Sequence, residues 1–80
     1  MRLTVIGCSG SLPGPTAAAS CYLVEADGVS TDGRPRTYRL LLDLGSGALG
    51  PLQRHIAVAD VDVVCLSHLH ADHCLDLCGL

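Results

Sequence analysis

The sequence predicts a mixed chain of the α/β (α+β) class, and three observations predict it. Short apolar runs, several of them β-branched, recur at residues 3–6, 21–26, 37–42 and 61–66, and Gly, Pro, Asp or Ser residues separate them. That is the pattern of strands divided by turns. A proline-led stretch at residues 51–57 places Leu52 and Ile56 at helical spacing. Finally, the fourth run leads directly into Ser67-His68-Leu69-His70-Ala71-Asp72-His73-Cys74. Chemistry is therefore expected at the carboxyl end of a strand, where ligand sites of sheets flanked by helices commonly lie.

In chain order, Leu3, Thr4, Val5 and Ile6 form a short buried strand that Gly7 stops. Residues 7–16 follow, with three glycines and two prolines, and read as a turn-rich connection. They lack the Gly-Lys-Ser/Thr ending of a phosphate-binding loop and the glycine spacing of a dinucleotide fold. A second strand spans residues 21–26. Asp27, Gly28 and the polar residues 30–36 make a hairpin loop, and the chain returns antiparallel through residues 37–42. Asp43 ends that third strand just before Gly45-Ser46-Gly47, where glycines let the chain turn. The helix at residues 51–57 tolerates Pro51 in its first turn. His55 within it has no clustered partner and reads as a surface or packing residue. Val61, Val63, Val64 and Leu66 form the fourth strand, and a second helix is expected to begin after His73, with Asp76 in its first turn.

Composition bounds the function. Eighty residues make one domain at most, with a core of marginal size. Nearly half the chain is apolar and its only aromatic residues are two tyrosines, so the core is built from Ala, Val and Leu. A formal net charge of −3 and five arginines with no run longer than Arg34-Pro-Arg36 give no DNA-binding surface. Cys8, Cys21, Cys65, Cys74 and Cys78 are odd in number and contain no Cys-x-x-Cys pair. They are expected to be reduced and mostly buried, as in a cytoplasmic protein. The apolar run after Arg2 is too short for a secretory core or a membrane span, so no membrane association is expected.

Three of the four histidines and a carboxylate fall within residues 68–73. Neutral imidazoles and a carboxylate are ligands that Zn²⁺ prefers. In extended backbone His68 and His70 point to one side, whereas the adjacent Asp72 and His73 diverge, so one segment serves two neighbouring ions.

The motif Ser67-His68-x-His70-x-Asp72-His73 resembles the metal motif of the metallo-β-lactamase superfamily. The segments Leu3-Thr4-Val5-Ile6-Gly7-Cys8-Ser9-Gly10-Ser11-Leu12-Pro13 and Leu41-Leu42-Asp43-Leu44-Gly45-Ser46-Gly47 resemble its ribonuclease Z-like and cyclic-nucleotide phosphodiesterase branch. This resemblance implies that residues 1–80 are the amino-terminal segment of one such domain, part of a four-layer αββα sandwich. It also implies that His68 and His70 bind one zinc and that Asp72 and His73 bind a second. Mn²⁺ or Fe²⁺ are alternatives, though the imidazole at position 70 favours zinc over iron. Two ions about 3.5 to 4 Å apart lower the pKa of a shared water toward 7 and neutralise charge in an in-line displacement. Asp72 then has a catalytic role as well, orienting that water. Asp43, with Ser67, is assigned to the support of the metal loop by hydrogen bonding, against the simpler reading of a turn or cap residue.

The implied activity is hydrolysis of a phosphodiester, in a cyclic nucleotide or at an RNA 3′ end. Relatives of other branches hydrolyse thioesters, lactones or β-lactams with the same core, and the fold does not choose among them. A different class remains open: a small structural zinc module in which Cys74 or Cys78 completes one site with the histidines. A complete superfamily member supplies further ligands downstream, so this chain is expected to be a segment of a longer hydrolase, to bind metal weakly and to be a poor catalyst alone. Half of a sandwich also exposes a sheet face, from which homo-oligomers or other association through that face are expected.

Overall fold

The computed structural model describes residues 1–10, 14, 15, 17–67 and 77. Four strands form one sheet in sequence order: β1 (Arg2–Gly7), β2 (Cys21–Val29), β3 (Pro35–Leu42) and β4 (Val63–Cys65). β1 and β2 pair antiparallel, as do β2 and β3, whereas β3 and β4 are parallel. A parallel pair needs a crossover, and here it comprises α1 (Leu49–Leu52) and a 3-10 turn, Val58–Asp60. The mixed class expected from the sequence is thus present.

Residues opposite one another in a sheet share a face, so the register sorts the side chains. Thr4, Leu23, Leu41 and Val64 form a row across all four strands on one face. That face is covered: Leu23 and Leu41 are fully buried with Leu44, Ala48 and Leu52 from the segment after β3, and Ile56 and Val61 pack against the same cluster. The other face carries two rows, Leu3-Val24-Leu40-Val63 and Val5-Tyr22-Leu42-Cys65. It is equally apolar but open, with Leu3 61% and Val5 53% exposed.

Three expected boundaries change. The hairpin is tighter: Asp27, Gly28 and Arg36 belong to the strands and only residues 30–34 connect them. Gly28 lies under the Tyr38 ring, where a Cβ would come within 2.9 Å of Cε2, and the Tyr38 hydroxyl donates to the Val29 carbonyl at 2.6 Å. Glycine here makes room for a cross-strand aromatic, and the turn falls to Gly33 at φ +83. The helix begins earlier and is shorter than residues 51–57. After Leu52 the amides of Gln53, Arg54 and His55 bond to the carbonyls three residues before them, which tightens the chain out of the α form. The fourth strand starts only at Val63; just before it Asp62 bonds Arg39 twice, its amide donating to the Arg39 carbonyl at 2.9 Å and its carboxylate accepting the Arg39 amide at 2.8 Å.

Cys21 is buried as expected, but Cys8 and Cys65 are exposed, Cys65 because it belongs to the open face. Among the described residues no helix is long and apolar enough to cross a membrane. The helix expected after His73 lies outside the described residues.

Candidate metal-loop support site

The register brings four strand ends to one edge of the sheet: Gly7 of β1, Cys21 of β2, Leu42 of β3 and Cys65 of β4. Two loops are laced together there, Ala19 N–H donating to the Ser46 carbonyl at 3.1 Å and Gly45 N–H to the Ser20 carbonyl at 3.0 Å. β4 delivers Leu66 and Ser67 to the same edge, and the histidine motif follows in sequence.

Asp43 is the central residue of this edge. Its amide donates to the Cys65 carbonyl at 2.8 Å, which continues the parallel ladder one step beyond β3. Its φ of 63 is left-handed, the one non-glycine residue in that region among those described. Aspartate tolerates this conformation better than most residues, and such strain persists only where surrounding bonds over-determine it. The bonds are present. One carboxylate oxygen accepts the Ser67 backbone N–H at 2.7 Å and the other accepts the Ser67 hydroxyl at 2.9 Å. Asp43 is only 8% exposed, so these bonds form away from bulk water, where an ionised acceptor holds its donors firmly.

The sequence points to Gly45 and Gly47 as the turn, yet the residue that adopts the unusual backbone directly after β3 is Asp43 itself. Nothing in the sequence marks it, because the cause is a partner 24 residues away. The metal-ligand assignments His68, His70, Asp72 and His73, like Cys74, Asp76 and Cys78, lie outside the described residues. His55 is exposed, and among the described residues no three His, Cys, Asp or Glu side chains form a group that could hold a metal. The donor set of the motif, three imidazoles and a carboxylate, has the chemistry that zinc takes.

A second polar cluster lies at the opposite edge. Glu25, 6% exposed, accepts from Arg2 at 2.8 Å and from Arg39 at 3.1 Å, which joins β1, β2 and β3. Asp62 then pairs with Arg36, whose guanidinium stacks on Tyr38 at 4.6 Å. The Arg2 hydrogen bond, followed by that of Arg39, holds the Glu25 carboxyl below its ordinary value of 4.5, and burial opposes them. Every charge here is paired, so the cluster is a tie across the sheet.

Comparison with known proteins gives a consistent result. The description "Metallo-beta-lactamase superfamily" applies to the family whose pattern matches residues 14–80. An uncharacterized protein of Mycobacterium tuberculosis, Rv1339, is 55% identical over the whole chain, which covers 26% of that protein. A ribonuclease Z of Haloferax volcanii is 35% identical over 80 residues, 22% of its length. The crystal structure of the metallo-beta-lactamase fold protein YhfI from Bacillus subtilis superposes with a TM-score of 0.80 at 38% identity, over 96% of this chain and 28% of that one. The chain spans about a quarter of the length of the curated relatives it matches.

Proposed function

The chain belongs to the metallo-beta-lactamase superfamily, and from that premise we propose that it is the amino-terminal part of a zinc-dependent phosphodiesterase acting on a cyclic nucleotide or an RNA 3′ end. Its relatives include a probable metallo-hydrolase and ribonuclease Z, which supports metal-dependent hydrolysis. The observation that carries the reading is the two-point hold of the Asp43 carboxylate on Ser67, immediately before the motif. A metal loop must be fixed at its root if its ligands are to converge, and a buried carboxylate on both the amide and the hydroxyl of one residue does that.

On this reading His68 and His70 hold one zinc, and Asp72 and His73 a second. Bound zinc supplies an acidified water and stabilises charge on a phosphoryl oxygen. The protein's own contribution is positional. Ser67, held by Asp43, fixes the chain two residues past β4, where the motif begins in sequence, and the Asp72 carboxylate orients the attacking water toward phosphorus. The net charge of −3 over these eighty residues provides no general attraction for polyphosphates, so substrate is held by groups close to the site or by residues outside this segment.

The test uses a polypeptide extended to the length of the Mycobacterium relative, assayed on a chromogenic phosphodiester. Turnover is expected, with His68→Ala and Asp72→Ala each lowering kcat by roughly a hundredfold or more. Full metal occupancy without turnover on any phosphodiester would overturn the proposal.

A further inference from the structure

On the covered side of the sheet, an open cleft of about 360 Å³ lies between described residues of the β1–β2 connection and the segment containing α1. Ile6, Ala18 and Pro51 give it apolar surface, and Gly14 and Gly47 line it without side chains. Arg54 supplies the single charge among its described lining residues. Arg2, Arg34, Arg36 and Arg39 are each in a salt bridge, whereas Arg54 is exposed and in none among the described residues. Ile6 and Ala18 belong to the packed core, and backbone bonds from Ala19 to Ser46 and from Gly45 to Ser20 join the two segments beside the cleft.

We propose that this cleft binds a small phosphate ester, with Arg54 taking the phosphate and the apolar wall of Ile6, Ala18 and Pro51 taking its organic part. A guanidinium presents a planar fork of donors that matches phosphate oxygens in pairs. Small residues at positions 14, 18 and 47 let the ligand approach the backbone closely. The choice of phosphate over other anions rests on the phosphodiesterase reading, while the site itself lies across the sheet from the open apolar face. It gives a role to Arg54, the one arginine that is in no salt bridge among the described residues.

The test is a titration of the metal-free protein, extended to the length of the Mycobacterium relative, followed through the backbone amides of Gly14 and Gly47 by NMR, with phenyl phosphate, benzoate and phenol as probes. Phenyl phosphate is expected to shift both amides saturably, benzoate several-fold more weakly and phenol not at all. Arg54→Gln should weaken phenyl phosphate by about tenfold with spectral dispersion unchanged, and Arg54→Lys by less. Equal binding of benzoate, equal binding by Arg54→Gln, or shifts confined to residues outside the cleft would overturn the proposal. Because metal is absent throughout, a hydrolase that fails on phosphodiesters leaves this result standing, and the converse also holds.

Discussion

At the scale of single residues, the two buried carboxylates, Asp43 and Glu25, do different work. Asp43 holds a left-handed backbone and two Ser67 donors at once. Asp43→Ala removes both bonds to Ser67 and leaves a left-handed backbone with no side chain to hold it, so it is expected to cost about 3 kcal/mol in thermal or urea melts. Asp43→Asn keeps one acceptor and the tolerance for positive φ, and is expected to cost about 1 kcal/mol. In the extended protein both should weaken zinc roughly ten- to a hundredfold in a chelator competition; unchanged affinity in Asp43→Ala would separate this carboxylate from the metal loop. Glu25 answers to pH instead. Because its folded value lies below 4.5, its pairing with Arg2 and Arg39 contributes fully above that pH and is lost as the carboxylate takes up a proton below it. Melting wild type and Glu25→Gln from pH 6 to pH 3 should show a wild-type decline that begins below pH 4.5. The variant is expected to be less stable by about 1–2 kcal/mol at neutral pH and to show a flatter acid limb.

At the scale of elements, the end of β1 is fixed by a close approach that only glycine permits. A Cβ on Gly7 would lie 2.2 Å from the Ala19 carbonyl oxygen and 2.8 Å from that of Ala18, both of them backbone. Gly7→Ala must therefore push the loop at residues 17–20 off the edge where the strand ends meet, at a cost of about 2–3 kcal/mol. Gly50→Ala is the matched control. Outside its chain neighbours and its own helix nothing lies within 4 Å of its Cβ position, so its cost is only that of a Cβ before Pro51 in helical backbone, and it should lose about 1 kcal/mol or less in the same denaturation series. The strands themselves were legible from sequence, because β-branched and leucine runs stopped by Gly7 or Asp43 leave few other readings. The hairpin's true length was not legible, since Asp27-Gly28 has the chemistry of a turn and becomes strand only through Tyr38 across the ladder. The Glu25 pairings join residues 14 and 23 positions apart and exist only once the register is set, whereas the pairing of Asp43 with Ser67, 24 positions apart, was expected from the family resemblance rather than from local pattern. The histidine motif was the reverse case: its residue types and spacing announce metal chemistry without any tertiary information.

At the scale of the whole molecule, one sheet is apolar on both faces, and one face has a cover. Leu44, Ala48, Leu52 and Ile56 close over the Leu23 and Leu41 side. The rows Leu3-Val24-Leu40-Val63 and Val5-Tyr22-Leu42-Cys65 cross the other face without a charge, and the ion pairs of Arg2, Arg39 and Glu25 lie on the covered side. A sheet of this kind belongs in the interior of a layered fold, which agrees with the αββα sandwich of the superfamily. The eighty residues by themselves leave that surface to water, and water disfavours it by about 25 cal/mol for each Å² exposed. Studied alone, the chain is therefore expected to self-associate through this face, and sedimentation velocity should show dimers or larger species whose population rises with concentration. The double variant Leu3→Lys and Val63→Lys places two charges at opposite ends of one row, both at exposed positions where the covered core is untouched. It should shift the protein to monomer while the far-ultraviolet circular dichroism stays the same. A wild-type chain that remains monomeric and melts cooperatively would mean that this face is already satisfied within residues 1–80, which would remove the case for a second layer upon it.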